Sequence, residues 1–138
     1  MIVVDTNVVS ELMRVETSPA VRAWVSAQDH DELRITAITV AEILCGIERL
    51  PSGSRKDTLR EAAVDVFSRF AEDVLPFDAA EAAVYPEIVD QRDRRGTPIS
   101  GYDAQIAAIC RDNGASLATR NEKDFAGVGV ELINPWSS

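Results

Sequence analysis

Short apolar runs alternate along this chain with longer stretches of helical spacing. Ile2-Val3-Val4 is continuously apolar and stops abruptly at Asp5, which predicts a strand over about residues 2–5 that is covered on both faces. Apolar positions return at Val8, Val9, Leu12 and Met13, so a short helix is expected from about Asn7. Ser18-Pro19 reads as a second helix start, with Ser as cap and Pro in the first turn. "LRITA" at 33–37 reads as a second strand. Thr39 is then expected to open a helix in which Val40, Ile43, Leu44 and Ile47 form one apolar face, closed by "LPSG".

A charged amphipathic helix is expected over about 54–73, followed by a short strand at "VLPF". Asp78 can cap the next helix, which Pro86 should kink and Gly96 should stop. Another helix should run from Gly101 to Asn113 and end at Gly114, with "SLAT" at 116–119 and "VELINP" at 130–135 as the last strands. Strands separated by helices imply βαβ units and a largely parallel sheet, an α/β fold with ligands at the carboxyl ends of its strands. Both Asp5 and the loop after "SLAT" fall at such ends.

No repeat, low-complexity tract or linker interrupts the pattern, and 138 residues suit one core better than two. A single domain over 1–138 is the expectation. No run approaches the roughly 20 apolar residues of a membrane span, and the first apolar run lacks a charged leader, so a cytoplasmic location is expected. Cys45 and Cys110 lie in apolar helical patterns and read as reduced, buried thiols. His30, the only histidine, sits in the polar run "QDHDE", which leaves little room for histidine-based nucleophilic catalysis. The net charge of −9 argues against a binder that relies on a basic face. Placement tempers that argument: if four acids were committed to bound cations, 23 less 4 acids against 14 bases would leave −5.

Four carboxylates merit sorting. Asp5 ends the first strand, Glu42 and Asp103 fall in the first turns of two strongly apolar helices, and Asp124 lies in the loop after "SLAT". Thr39-x-x-Glu42 fits a capping box and Ser100-x-x-Asp103 a looser one, so each acid has a purely structural reading. All four could converge on one sheet edge, and capping does not explain why Glu42 and Asp103 head the two most apolar helices, where unpaired carboxylates near the core are costly. A shared hard cation such as Mg²⁺ or Mn²⁺ would relieve that cost. It would also stabilise charge on a phosphate, as in metal-dependent nucleases, chemistry that needs no histidine.

"VVDTNVVSEL", "TAITVAEILCGIERLP", "PISGYDAQIAAICRDNG" and "LATRNEKDFAGVGVELINPW", in this order and over essentially the whole chain, resemble the PIN-domain ribonucleases. The similarity is closest to the VapC-type toxins of bacterial toxin–antitoxin pairs and their FitB-like subgroup. The resemblance implies a three-layer α/β/α domain with a central, mainly parallel sheet, and endoribonuclease activity with Mg²⁺ or Mn²⁺ as cofactor. It puts Asp5, Glu42, Asp103 and Asp124 on the catalytic, metal-binding positions, with Asn121 or Glu122 able to share the role of Asp124. Thr6, Asn7, Thr119 and Asn121 fall on the supporting polar positions. It also implies a homodimer and a small antitoxin partner through which DNA is contacted indirectly. Tyr85-Pro86, Gly101-Tyr102 and the two cysteines depart from the usual pattern, and no acid is lost.

Arg92, Arg94 and Arg95 form the densest basic cluster and read as a solvated helix end ahead of an RNA contact. Arg120 and Lys123 flank the last acid and are candidate RNA contacts. Two rivals stand beside the nuclease: a catalytically inactive PIN-like protein-interaction module, and an aspartyl phosphotransferase. The second is weaker, because "DTN" lacks the second acid of a DxD motif.

Overall fold

The computed structural model describes residues 1–70 and 74–137. Four strands, β1 (Ile2–Val4), β2 (Leu33–Arg34), β3 (Ser116–Ala118) and β4 (Leu132–Ile133), form one parallel sheet in the order β2-β1-β3-β4. The helices are α1 (Thr6–Leu12), α2 (Pro19–Ala27), α3 (Ala37–Glu48), α4 (Ser54–Arg69), α5 (Ala79–Arg94) and α6 (Gly101–Asn113). Short 3₁₀ turns cover His30–Glu32 and Glu122–Phe125.

β1 sits in the middle of the sheet, which explains why it reads as a continuous apolar run. Side chains alternate along a strand, so Val3 and Leu117 enter one core with Ile88, Ile106, Ile109 and Phe125, while Val4 and Ala118 enter the other with Val8, Val21, Ile35, Ile43 and Val66. α5 and α6 cover the first face; α1 to α4 supply the second. This is the expected α/β/α sandwich.

Several boundaries move for identifiable reasons. The first strand ends at Val4, because Asp5 is the N-cap of α1. Thr36 rather than Thr39 caps α3: it is extended (φ −102°, ψ 158°) and its hydroxyl accepts from the Thr39 amide at 3.1 Å. That cap shortens the second strand to Leu33–Arg34 and places Glu42 beyond the first turn, outside any capping box. "VLPF" reduces to a single parallel bridge between Leu75 and Thr36. Ser18 makes no side-chain cap, although Pro19 does open α2. α4 ends at Arg69, and positions 71–73 of the predicted helix lie outside the described residues.

α5 runs through Pro86 as one 16-residue helix. Pro86 and Ala82, whose carbonyl loses its amide partner, are both exposed, so water can satisfy the freed acceptor. Cys45 and Leu44 are exposed, contrary to their apolar pattern; α3 buries the stripe Thr39, Ile43 and Ile47 instead. Cys110 is buried as expected, and burial followed by the nearby Asp5 charge pushes its thiol up to about 12, so it stays protonated. His30 is exposed. No helix is long and apolar enough to cross a membrane among the described residues.

Candidate active site

The site grows from the end of β1. The Asp5 amide donates to the Ala118 carbonyl at 2.9 Å, extending the β1–β3 ladder by one residue before the chain turns into α1. The side chain, only 4% exposed, is held by three donors: the Thr6 amide to Oδ1 at 2.8 Å, and the Thr119 hydroxyl and Asn7 Nδ2 to Oδ2 at 2.7 and 3.2 Å. Asn7 also donates to Thr119 Oγ1 at 3.2 Å and accepts from the Arg120 amide at 3.2 Å, while the Asn121 amide donates to Thr119 Oγ1 at 3.0 Å. The polar residues flanking Asp5 and those following β3 therefore form one network.

A second network fixes Glu42. The Thr6 hydroxyl donates to Glu42 Oε1 at 2.9 Å and lies 3.0 Å from the Thr39 hydroxyl, which itself accepts from Thr36 Oγ1 at 3.4 Å. Thr36 and Thr39 are fully buried, so this hydroxyl chain is shielded from water. Asp103 stands in the first turn of α6, its amide capped by Ser100 Oγ at 3.2 Å.

Asp5, Glu42 and Asp103 line one cleft of about 450 Å³ together with Asn7, Asn121 and Arg120. All three carboxyls hold their protons more tightly than an ordinary carboxyl. Burial is the main cause in each; repulsion adds to it, from Glu42 at Asp5, from Asp103 at Glu42, and from Asp5 and then Asp124 at Asp103. Among the described residues none of the three forms an ion pair. Nor do three metal-ligating side chains stand together as a finished coordination shell. An all-oxygen donor set whose carboxylates have no ion-pair partner among the described residues suits a hard divalent ion.

Asp124 is placed differently from the other three acids. It is exposed in the 3₁₀ turn and does not line the cleft, which Asn121 does. Lys123 is exposed and likewise outside the lining. Arg92 is not a solvated cation: at 5% exposure it ties α5 to this turn, with Nε donating to the Thr97 carbonyl at 2.6 Å and Nη1 to the Asp124 carbonyl at 2.7 Å. Arg94 pairs with Asp90 on the helix surface at 2.9 Å, and the Arg95 guanidinium packs over Gly127.

Four cleft residues escaped the sequence reading, Ser10, Glu11, Arg14 and Trp136. Glu11 is 7% exposed and faces Arg14, with 3.4 Å between Arg14 Nη1 and Glu11 Oε1. Its spacing of four from Asn7 on α1 was an available signal, since such positions share a helix face. Trp136 reaches the cleft rim from beyond β4, and no local pattern announces it.

The chain matches the PIN domain over residues 2–131. It is 39% identical over 137 residues to the VapC ribonuclease Y4jK of Sinorhizobium fredii, covering 99% of this chain and 98% of that one. Toxin FitB of Neisseria gonorrhoeae is 35% identical over 137 residues, covering 99% of each chain. The structure of FitAB bound to an IR36 DNA fragment superposes with a TM-score of 0.90 at 35% identity, covering 99% of this chain and 96% of that one. A match of this extent, on a fold with the same α/β/α layering, is decisive: the chain belongs to the PIN-domain family, in its VapC and FitB group.

Proposed function

We propose that this protein is a metal-dependent endoribonuclease, the toxin of a type II toxin–antitoxin pair. One observation carries the reading: three carboxylates of raised proton affinity, none of them ion-paired among the described residues, share a cleft at the carboxyl edge of a parallel sheet. The ribonuclease and toxin names of full-length relatives point the same way.

Asp5, Glu42 and Asp103 would hold Mg²⁺ or Mn²⁺. Asn121 is the fourth candidate facing the cleft, while Asp124 adds negative charge beside Asp103. When bound, such a cation stabilises charge on the phosphodiester and acidifies water. The chain's own contribution is orientation. Three donors fix Asp5, so its carboxylate cannot turn away, and Thr6 engages only Oε1 of Glu42, leaving Oε2 available. Thr39, buried behind Thr6, limits where that hydroxyl can point. Raised proton affinity means that the cleft exchanges protons for a cation, so binding strengthens with pH.

Partners follow from relatives as proposals: a small antitoxin covering the cleft, DNA reached only through that antitoxin, and a second copy of this chain. Purified protein incubated with structured RNAs in Mg²⁺, Mn²⁺ or EDTA, beside Asp5→Asn, tests the enzymatic part. Cleavage that needs the metal and is lost in Asp5→Asn supports it. Equal cleavage in EDTA would overturn the mechanism, and no cleavage of any RNA would favour an inactive interaction module.

A further inference from the structure

The cleft presents a difficulty to a polyanionic substrate, since three carboxylates face the arriving phosphates. Only Arg14 and Arg120 are cationic among its described lining residues, and they are held in different ways. Arg14 faces the carboxylate of Glu11, which offsets its charge locally. Arg120 has no ion pair among the described residues; its guanidinium carbon lies 5.1 Å from the centroid of the Trp136 ring.

That distinction matters chemically. A guanidinium facing a carboxylate has its charge offset and one of its nitrogens engaged, as Nη1 of Arg14 is by Glu11, whereas one resting on an indole face keeps its whole N–H edge free. The support is itself anchored. The Trp136 amide donates to Asn134 Oδ1 at 2.9 Å, the ring packs against the second core, and Pro135 before it is buried. From the other side, the Arg120 backbone is fixed to Asn7 Oδ1, one hydrogen bond from Asp5. Arg120 thus has a fixed root, a fixed resting surface and an exposed, unneutralised head at the rim of the acidic cleft.

We propose that Trp136 shelves Arg120 so that its guanidinium edge receives a backbone phosphate of single-stranded RNA flanking the scissile bond, making Arg120 a substrate-binding residue and Trp136 a positioning residue. This rests on the endoribonuclease reading for its substrate. Binding through a phosphate is independent of base identity, so the pair sets affinity and register without selecting sequence.

The test combines turnover with binding of a short phosphorothioate RNA in Mg²⁺, read by tryptophan fluorescence in a Trp24→Phe background that leaves Trp136 as sole reporter. Thermal melts check that each variant folds. Arg120→Ala should weaken binding about tenfold across unrelated sequences and raise KM by a similar factor with kcat within about twofold. It should also flatten the slope of log K against log salt by about 0.7, the signature of one lost phosphate contact to a single strand. Trp136→Leu should shift KM in the same direction with Arg120 still present, and Trp136→Phe should recover part of the loss. Unchanged affinity and salt slope in Arg120→Ala would overturn the proposal, as would wild-type KM in a folded Trp136→Leu. If wild type binds RNA with an Arg120-dependent slope yet cuts none, the nuclease reading falls while the phosphate contact of Arg120 stands.

Discussion

Replacing Arg92 by Met removes every donor of a buried guanidinium while keeping a stem of similar length in the core. The two short bonds, to the Thr97 carbonyl at 2.6 Å and the Asp124 carbonyl at 2.7 Å, are charge-assisted, and weaker contacts reach Thr97 Oγ1 at 3.2 Å and the Ala126 carbonyl at 3.4 Å. Hydrogen bonds of this kind contribute roughly 1.5–3 kcal/mol each. Thr97, Asp124 and Ala126 are exposed residues, so water can take over part of the role. The net cost should therefore be about 3 kcal/mol, a fall in Tm of roughly 10 °C for a chain of this size. Arg92→Lys retains the charge, but one ammonium cannot serve both carbonyls as the guanidinium fork does, and about half the loss is expected. Urea unfolding followed by circular dichroism, with a calorimetric melt, measures both. A loss below about 0.5 kcal/mol in Arg92→Met would refute the view that this side chain ties α5 to the turn bearing Asp124.

The acidic cleft should make metal-free stability depend on pH. Raised carboxyl pKa values in the folded chain mean that their contribution is most favourable below the ordinary carboxyl range near pH 4 and declines as pH rises through the raised values. Glu42→Gln keeps an acceptor for Thr6 and removes one charge, so in EDTA the variant should gain on wild type between pH 4 and pH 7; a gap constant with pH would contradict this. Adding Mg²⁺ at pH 7 should raise the Tm of wild type more than that of Glu42→Gln. Gly114 caps α6 at φ +62° with open space around its Cα, so Gly114→Ala should cost about 1 kcal/mol from backbone conformation alone and Gly114→Asn less, by urea titration.

The elements that could be read from sequence are those whose environment is uniform. β1 is covered on both faces and so appears as an unbroken apolar run; α6 ends where glycine adopts the required conformation most comfortably. The start of α3 falls three residues before the expected Thr39 because Thr36 is an equally good cap, and its extended backbone and its bond from the Thr39 amide decide between them. The exposure of Leu44 and Cys45 depends on which side of α3 meets the sheet, which composition does not encode. In the site, Asp5, Glu42 and Asp103 were legible because strand ends and the helices that follow share a sheet edge. Arg92 was not, since its acceptor at Asp124 lies 32 residues away and a run of arginines looks the same whether solvated or buried. The geometry of the 3₁₀ turn, invisible in the letters, brings Asn121 to the cleft instead of Asp124.

The bond from Thr119 to Asp5 closes a loop of 114 residues. Asp5 leaves the ribosome first among the acids, yet the hydroxyl and the strand carbonyl that orient it are made near the end of synthesis. Nascent chains stopped before β3 therefore carry the first acid without the scaffold that aims it. The first acid is therefore aimed only once β3 and Thr119 have been made, an order set by topology.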